Sequence, residues 1–562
     1  MRLAGCLLAV SILAAVPAQA DLIARNHMIA AANPYAAKAG QDILRAGGTA
    51  VDAAIATQMV LTLVEPESSG LGGGAFLLVW DPKKKHMTSF DGRETAPASA
   101  KPGMFLDAQG KPRGHMDAIP GGLSVGVPGV VAMLDLAHRK YGKLAWAKLF
   151  EPAIALAENG FTVSKKLAAT LREFPQMGQM PDIKRTFYKP DGTPYAEGET
   201  MKNPALAATL RAIAKDGPKA FYSGAIAKAI VDAVQHAPVN PGGMTLNDLA
   251  HYKALERAPV CGPYRSYKVC SMGPPSSGGI AVLQILGMLN KFPRTDLVPS
   301  SLSGVHLLTQ ASRLAFADRA EYGGDPAFVK VPVKALLDPA YLAQRAALID
   351  PAQDMGTASA GSLGASKKAF APQRSPEHPG TSQVSIVDDN GQAVSMTTTV
   401  EFAMGSELMA GGFILNNELT DFSFEPKRDG KPVANAPGPG KRPMSSMAPT
   451  IVLDSDGDFH VALGSPGGPM IIDYVAQALT ALIDFNMMAQ KVTALPHPGN
   501  MNGATLLEKD TPLEALAPQL TKMGHTVATP SVEKSGLNIV TWVYIGFSGG
   551  SDPRRDGVVL GD

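Results

Sequence analysis

The residues whose types and spacing most suggest chemistry lie two-thirds of the way along the chain, where Thr381 directly follows Gly380. Thr381 opens an alternating apolar run, the turn Asn390-Gly391 follows, and a second run leads to Thr399. Asn-Gly between two alternating runs is the strongest short signal for a β-hairpin. Such a hairpin places Thr381 opposite Thr399 or its neighbour Val400. If the Gly380–Thr381 bond were cut, the Thr381 hydroxyl would have its own α-amine as a nearby base, which can make an alcohol nucleophilic.

Other residues suit the binding of an amino-acid-like molecule. Arg93 lies in a turn after a predicted strand, where its guanidinium would hold a carboxylate through two parallel hydrogen bonds. Ser445 and Ser446 offer hydroxyl donors for the same group, and residues 416–421 offer acceptors for an ammonium group. The pair Gly467-Gly468 has no side chains, so its backbone N–H groups would be able to face a developing oxyanion.

Each of these features also has a simpler explanation when it is taken alone. Threonine is favoured in strands in general, and two adjacent glycines usually form only a turn. An arginine in a turn is usually solvated. The combination of features, and not any single one, favours a catalytic site.

The sequence lacks the signatures of several other kinds of site. It has no Walker A loop and no Cys or His pair at metal-ligand spacing. The run Gly70–Gly74 does not complete a dinucleotide fingerprint, because Ala75 fills the last position, and residues 464–468 lack the spacing of a nucleophile elbow. The net charge is +1 and no basic tract is present. We therefore predict no metal, no cofactor and no nucleic-acid partner.

The elements that must position the candidate residues change character along the chain. Residues 1–20 are typical of a secretory signal peptide, which predicts a periplasmic or secreted protein. No later segment is long and apolar enough to predict a membrane span. The pattern is mostly helical from about 125 to 330, and residues 353–380 read as an exposed linker. Short strands dominate after Thr381.

This order of elements predicts an α+β fold in which stacked sheets are flanked by helices. Cys261 and Cys270 lie on either side of a turn-rich segment, so a hairpin there would bring the two thiols across from one another. In an exported protein, a disulfide and a pair of buried free thiols are equally consistent with this spacing.

Three longer motifs accompany the candidate residues: Glu67–Gly74, Pro274–Gly279 and Ser551–Gly557. With them, essentially the whole chain after residue 20 resembles the γ-glutamyltransferases of the N-terminal-nucleophile hydrolase superfamily. The resemblance implies a four-layer αββα sandwich and self-cleavage between Gly380 and Thr381. Residues 21–380 would form a large subunit and residues 381–562 a small catalytic subunit. The two would remain together as a heterodimer that forms one intertwined domain.

The same resemblance implies a role for each candidate residue. Thr381 would be the self-cleavage residue and the nucleophile, and Thr399 would hydrogen-bond to it. The donor's α-carboxylate would be held by Arg93, Ser445 and Ser446. Its α-amino group would be held by Glu418 and Asp421. The oxyanion would be held by Gly467 and Gly468. The donor would be a γ-glutamyl compound such as glutathione, and the acceptor would be water or the amine of an amino acid or peptide.

The sequence departs from the family pattern at three places. Gln383 replaces a common histidine, and Glu401 occupies a position where well-known members carry an asparagine that touches the donor amine. Residues 424–440 contain no tyrosine that would form a lid. A further carboxylate at 401 raises the negative potential and would favour a different amine or a bulkier cationic donor.

Two alternative functions fit parts of the pattern. One is a glutaryl- or cephalosporin-type acylase on the same fold. Its donor has no α-amino group, so the three acidic residues Glu401, Glu418 and Asp421 argue against it. The other is an unprocessed periplasmic binding protein, and the intact pair of Thr381 and Thr399 argues against that.

Overall fold

The computed structural model describes residues 22–364, 370–373, 380–529 and 535–562. The predicted signal peptide at 1–20 lies outside the described residues, as do residues 365–369 and 374–379 of the predicted linker. Within the described part of the chain, no helix is both long enough and apolar enough to cross a bilayer.

The α-helices occupy the following segments: α1 (Pro34–Arg45), α2 (Ala50–Val64), α3 (His115–Ala118), α4 (Val130–Tyr141), α5 (Glu151–Asn159), α6 (Lys165–Glu173), α7 (Pro181–Phe187), α8 (Pro204–Asp216), α9 (Lys219–Tyr222), α10 (Gly224–Gln235), α11 (Leu246–His251), α12 (Gly278–Leu289), α13 (Leu302–Tyr322), α14 (Val333–Leu336), α15 (Pro339–Ala346), α16 (Ile471–Phe485), α17 (Ala489–Thr493) and α18 (Ala517–Lys522).

The β-strands occupy the following segments: β1 (Ile23–Ala24), β2 (Met28–Ala31), β3 (Gly74–Asp81), β4 (His86–Asp91), β5 (Phe161–Thr162), β6 (Thr200–Met201), β7 (Leu255–Arg257), β8 (Val260–Tyr264), β9 (Tyr267–Ser271), β10 (Thr381–Val387), β11 (Ala393–Thr399), β12 (Met409–Ala410), β13 (Phe413–Ile414), β14 (Lys427–Arg428), β15 (Lys431–Pro432), β16 (Thr450–Leu453), β17 (Phe459–Gly464), β18 (Pro498–Gly499), β19 (Thr505–Leu507), β20 (Val527–Ala528), β21 (Asn538–Val543), β22 (Gly546–Ser551) and β23 (Val558–Gly561).

Two large sheets dominate the described residues, and each contains seven strands. The first sheet has the order β23-β2-β10-β11-β3-β4-β7, and the second has the order β1-β22-β21-β17-β16-β9-β8. Every pairing within the two sheets is antiparallel. The structure is therefore of mixed α and β type, as the sequence predicts.

The first sheet presents apolar side chains to helices on one face. Val384 and Ile386 of β10 share a hydrophobic core with the helices α1 and α2. Strong start signals fix both helices: the Asn33 side chain accepts from the backbone N–H of Tyr35, and Thr49 begins a capping box with Asp52.

The opposite face of the first sheet meets the second sheet. Because side chains alternate along a strand, Thr381, Gln383 and Ser385 share this face. Ser385 Oγ donates to the carbonyl of Asn538 in β21 at 2.8 Å, and Ser395 Oγ of β11 donates to the carbonyl of Leu463 in β17 at 2.8 Å. Short polar side chains thus join the two sheets beside the candidate nucleophile.

The two predicted subunits contribute equally to the large sheets. Among the described residues, fifteen of the eighteen helices and seven of the fourteen strands of the two sheets precede Thr381. Strand β10, which begins at Thr381, lies between β2 and β11. The predicted helices before Thr381 are present, and more β-structure accompanies them than the sequence predicts.

The two cysteines that follow the predicted signal peptide are joined. Cys261 in β8 lies directly opposite Cys270 in β9, and their sulfur atoms form a disulfide. The structure therefore selects the disulfide from the two alternatives that the spacing left open. The bridge lies in a hairpin at the edge of the second sheet.

Candidate active site

The nucleophile hairpin has the predicted register. Thr381 of β10 pairs with Thr399 of β11, and the Thr381 hydroxyl donates to Thr399 Oγ1 at 3.4 Å. Thr399 Oγ1 accepts from the backbone N–H of Glu401 at 2.8 Å and donates to the carbonyl of Gly380 at 2.5 Å. Arg555, from the C-terminal motif, donates to the Thr381 carbonyl at 3.0 Å. Both hydroxyls therefore lie at the peptide bond where cleavage is predicted.

The turn between the two strands explains why the pairing register of β10 and β11 is well defined. Gly391 has φ of +78°, a conformation that suits glycine and fits the Asn-Gly signal. The Asp388 side chain accepts from the backbone N–H groups of Asn390 at 2.8 Å and Gln392 at 3.0 Å. It also accepts from the N–H of Ala50 at 3.0 Å, which ties the turn to α2.

Gln383 lies beneath the hairpin and is fully buried between the sheets. Its amide donates to the hydroxyl of Ser395 at 3.0 Å and accepts from the hydroxyl of Thr397 at 2.6 Å. A Cβ on Gly464 would lie 2.3 Å from Gln383 Oε1, so β17 packs closely on this amide. The Gln383 side chain, the first departure from the family pattern, therefore links β10 to β11 where they face β17, and it does not line the pocket.

Gly467 and Gly468 lie just before α16, in backbone conformations that favour glycine. Their φ angles are +137° and +59°. A Cβ on Gly467 would meet the ring of Tyr474 at 2.5 Å. Gly468 lines the pocket that contains Thr381, whereas Gly467 does not. The bend thus brings Gly468 to the pocket of Thr381, the predicted nucleophile.

Arg93 lies at the centre of a buried charge cluster. Its guanidinium donates to Glu418, to Asp421 at 2.5 Å, and to the carbonyls of Pro443 and Met444 at 3.1 and 2.9 Å. Burial alone would lower the pKa of Arg93, but the neighbouring carboxylates outweigh burial and raise it. The residue expected to hold a carboxylate is therefore paired, in this structure, with the two residues expected to hold an ammonium group.

A third carboxyl group, Glu94, completes this cluster and was not predicted. It is fully buried, lies 4.0 Å from Arg93 Nη1 and also contacts the side chain of Glu418. Burial raises the pKa of Glu94 to about 8 and also raises that of Glu418. Because Glu418 contacts Arg93 directly, we assign the negative charge to Glu418 and the proton to Glu94 near neutral pH. The only signal in the sequence that Glu94 belongs to this cluster is its position next to Arg93.

Glu401 reaches the same pocket from the end of the hairpin. Its backbone has φ of +79°, which is uncommon for a residue with a long side chain. One carboxylate oxygen accepts from the side-chain amide of Asn417. The second departure from the family pattern is therefore a buried acid in a left-handed conformation that asparagine adopts more readily.

Ser445 and Ser446 face the pocket from the other side. The Ser445 hydroxyl accepts from the backbone N–H of Met447 at 3.1 Å. The Ser446 hydroxyl accepts from the guanidinium of Arg319 at 2.8 Å. Arg319 lies in α13 and was also missed, because nothing in the sequence of a helix indicates which distant loop it contacts.

A second buried cluster lies outside the pocket, next to the nucleophile strand. The Ser382 hydroxyl donates to Glu65 at 2.6 Å, and Lys166 Nζ lies 3.3 Å from Glu67 and 3.7 Å from Glu65. Burial raises the pKa of Glu67 to about 7. The Ser69 hydroxyl also donates to the Ser382 hydroxyl at 3.0 Å, so the motif that begins at Glu67 supports the start of β10.

The segment from 424 to 440, the third departure from the family pattern, contains a small hairpin of β14 and β15. The ring of Phe424 stacks on Phe105 with 4.3 Å between centroids and on His115 with 5.2 Å. These contacts anchor the start of the segment. No tyrosine occurs in it, and none of its residues lines the pocket.

One pocket brings together every predicted catalytic and substrate-binding residue except Gly467. Its volume is about 20 Å³, which is room for roughly one water molecule. The lining residues are Arg93, Thr381, Thr399, Glu401, Glu418, Asp421, Ser445, Ser446, Met447, Gly468 and Ile471. The pocket therefore combines a pair of hydroxyls at a defined peptide bond with groups of both charges.

Comparison with known proteins identifies the class to which this fold and pocket belong. A family model described as gamma-glutamyltranspeptidase matches residues 36–562. The chain belongs to this family. Its members with curated names include the glutathione hydrolase proenzyme of Bacillus subtilis (strain 168), which is 36% identical over 550 residues, covering 96% of this chain and 92% of that protein.

Two further comparisons show the range of the relatives. The glutathione hydrolase proenzyme of Escherichia coli (strain K12) is 38% identical over 547 residues, covering 94% of this chain and 91% of that protein. Among solved structures, a cephalosporin acylase from Bacillus halodurans superposes with a TM-score of 0.85 at 27% identity, covering 99% of both chains. The family is thus shown, and its relatives include enzymes with different donors.

Proposed function

We propose that this protein is a self-processing threonine acyltransferase and hydrolase that cleaves γ-glutamyl amide bonds, such as that of glutathione. The glutamyl group would pass to water or to the amine of an amino acid or peptide. The observation that carries the proposal is the pairing of Thr381 with Thr399 at the Gly380 carbonyl, in a pocket that also contains Arg93.

Self-cleavage would begin with attack of Thr381 Oγ1 on the Gly380 carbonyl carbon. The C–N bond between Gly380 and Thr381 breaks, an ester forms, and the Thr381 nitrogen takes up a proton as a free amine. Water then hydrolyses the ester and leaves a carboxylate on Gly380. The Thr399 hydroxyl, which donates to the Gly380 carbonyl at 2.5 Å, would stabilise the negative charge that develops on that oxygen.

The products would be a large subunit of residues 21–380 and a small subunit of residues 381–562. We propose that they stay together as a heterodimer and form the four-layer αββα sandwich jointly. The interleaved strands support this, because β10 lies between β2 and β11 in one sheet. Separation of the fragments would expose the edges of both sheets. The signal-like segment 1–20 supports export to the periplasm or the medium.

In the mature enzyme, the Thr381 hydroxyl would attack the γ-amide carbonyl with the freed α-amine as the base. The amide C–N bond would break, the amine would leave with a proton, and an acyl-enzyme ester would form. Backbone N–H groups at Gly467 and Gly468 would stabilise the oxyanion. Water or an amine would then take the glutamyl group from Thr381.

The charge cluster supports an α-amino-acid donor in particular. The pocket of the uncut chain is too small for a glutamyl group, and we propose that a donor enters by replacing the contacts of Arg93 with Glu418 and Asp421. A zwitterionic donor supplies both the carboxylate that Arg93 would bind and the ammonium that the acids would bind. Separating a buried ion pair without such replacement leaves uncompensated charge, which costs about 3–5 kcal/mol.

A glutaryl- or cephalosporin-type acylase is the second candidate, and the similarity to the cephalosporin acylase structure favours it. A glutaryl donor would occupy Arg93 and leave the acidic residues Glu401, Glu418 and Asp421 without a partner. We therefore rank it below the γ-glutamyl donor. An unprocessed binding protein would have no use for the Thr381–Thr399 pair.

The decisive experiment measures intact mass and runs a denaturing gel on wild type, Thr381→Ala and Thr381→Ser. We expect two fragments in the wild type, the smaller beginning at Thr381, and an uncut Thr381→Ala chain. Thr381→Ser keeps a hydroxyl and should still cleave. Hydrolysis of γ-glutamyl and glutaryl anilides is then compared on the mature wild type. An uncut wild type would refute self-processing, and faster glutaryl hydrolysis would select the acylase.

A further inference from the structure

The motif Pro274–Gly279 does not line the pocket, yet it contacts the serine pair that does. The backbone N–H of Ser277 donates to the carbonyl of Ser445 at 2.8 Å, and the N–H of Ser445 donates to the carbonyl of Pro275 at 3.2 Å. The Ser276 hydroxyl donates to the carbonyl of Met447 at 2.6 Å. The motif therefore fixes the backbone that carries Ser445 and Ser446.

Arg319 joins this motif to the serine pair through side chains. Its Nε donates to the Ser277 hydroxyl at 2.7 Å, and its Nη2 donates to the Ser446 hydroxyl at 2.8 Å. The Ser277 hydroxyl in turn donates to the Ser445 carbonyl at 2.8 Å. One guanidinium thus spans the motif and the wall of the pocket.

The direction of the Ser446 proton follows from the chemistry of these groups. A guanidinium has only donors, so Ser446 Oγ must accept from Arg319 and its own proton must point elsewhere. Ser446 lines the pocket with Arg93 and Thr381. The Ser445 hydroxyl likewise accepts, from the N–H of Met447. Both hydroxyls are therefore free to donate to a ligand in the pocket.

We propose that Arg319 is a positioning residue that directs the Ser446 proton to the carboxylate of an α-amino-acid donor. The inference rests on the proposed γ-glutamyl function and names a determinant of its specificity. Two of the Arg93 donors contact the carbonyls of Pro443 and Met444, and these contacts leave fewer of its N–H groups for a carboxylate. The Ser446 hydroxyl, oriented by Arg319, would therefore add a further donor to the carboxylate that Arg93 would bind.

The test compares two donors in wild type, Arg319→Met, Arg319→Lys and Arg185→Met. The first donor is γ-glutamyl anilide, and the second is 4-aminobutyryl anilide, which keeps the amine and lacks the α-carboxylate. We expect Arg319→Met to raise KM for the first donor about tenfold, with kcat nearly unchanged. The kcat/KM for the second donor should change less than threefold. The KM of Arg319→Lys for the first donor should lie between the values of the wild type and Arg319→Met. Arg185→Met, on an exposed arginine of α7, is the matched control.

A double-mutant cycle with Ser446→Ala separates orientation from general support. If Arg319 acts through the Ser446 hydroxyl, Arg319→Met should raise KM little further in the Ser446→Ala background. The inference would be overturned if Arg319→Met lowered kcat/KM equally for both donors. It would also be overturned if the effects of Arg319→Met and Ser446→Ala on KM simply multiplied. Either result would mean that Arg319 only supports the fold.

Poor folding or processing of the Arg319 variants would not prevent the test. Ser277→Ala keeps the guanidinium and removes the hydroxyl that its Nε contacts, so it should raise KM for the γ-glutamyl donor alone, by a few fold. An unchanged KM in Ser277→Ala would count against the inference. Failure of the proposed function is distinguishable, because the wild type itself would then remain uncut or inactive on γ-glutamyl anilide.

Discussion

The nucleophile hairpin and the donor pocket lie side by side, yet they are built in opposite ways. The hairpin joins Thr381 to Thr399 through eighteen residues of local sequence, with neutral hydroxyls and one tight turn. The charge cluster joins Arg93 to Glu418 and Asp421, which lie 325 and 328 residues away. Backbone pairing sets the geometry of the first region, and electrostatic compensation sets that of the second.

This difference indicates how each region should respond to mutation. Loss of a hydroxyl from the hairpin should change the chemistry and leave the fold intact, because the strands pair through their backbones. Loss of a charge from the pocket should change stability as well as binding, because each buried charge depends on the others. The predictions below test that contrast.

Among variants that keep Thr381, the largest effect is expected at Thr399. In Thr399→Ala, the hydroxyl that donates to the Gly380 carbonyl is gone, and loss of one such donor typically slows a reaction about 10²–10³-fold. The rate of self-cleavage, followed by denaturing gel after synthesis, should fall by that factor. Thr399→Ser should cleave at a rate close to wild type. Cleavage of Thr399→Ala at the wild-type rate would remove Thr399 from the mechanism.

Arg93 tests the other side of the comparison. In Arg93→Ala, Glu418 and Asp421 lose their buried counter-ion, and the free energy of unfolding in urea should fall by about 3–5 kcal/mol. Arg93→Lys keeps the charge and should lose less stability than Arg93→Ala, although a lysine cannot make the several parallel hydrogen bonds of a guanidinium. Arg211→Ala, which removes an exposed ion pair with Glu158, is the control and should have little effect. If Arg93→Ala were as stable as Arg211→Ala, the charge cluster would not contribute to the stability of the fold.

The sequence predicted the hairpin more completely than the pocket for the same physical reason. The register of Thr381 and Thr399 follows from a period of two and a turn signal, both of which are local. The spacing of Cys261 and Cys270 likewise allowed the disulfide. No local pattern indicates that Arg93 rests on Glu418, that Glu94 completes the cluster, or that Arg319 of α13 reaches Ser446. Those contacts exist only after distant segments have packed together.

Glu94 predicts how stability depends on pH. Its pKa is about 8 in the folded protein against 4.5 in an unfolded chain, so the folded state binds more protons between these values. Stability should therefore decrease as the pH rises from about 5 to 8. In Glu94→Gln this loss should be smaller by roughly 3–4 kcal/mol, because one pKa unit corresponds to about 1.4 kcal/mol and Gln does not titrate. Urea unfolding at pH 5, 6.5 and 8 measures it. Identical pH profiles in the two proteins would contradict the assignment of the proton to Glu94.

The smallest effect is expected at Glu401, where backbone conformation and charge can be separated. Glu401→Asn removes a carboxylate and also suits φ of +79°, whereas Glu401→Gln removes the same charge without that relief. Both variants should shift the kcat/KM ratio of γ-glutamyl to glutaryl anilide toward glutaryl by about threefold to tenfold, because an anionic donor meets less negative potential. Only Glu401→Asn should also gain stability, by about 0.5–1 kcal/mol.

The paired design at Glu401 tells which property of that residue matters. If the selectivity shifts in Glu401→Asn alone, the backbone conformation would be the cause, because the two variants have the same charge. If neither variant shifts selectivity, the carboxylate at 401 does not contribute to the field that the donor meets, and Glu418 and Asp421 alone would set it. The charges that select the donor would then be limited to the residues that contact Arg93. The end of the hairpin would serve only to position Thr381 and Thr399.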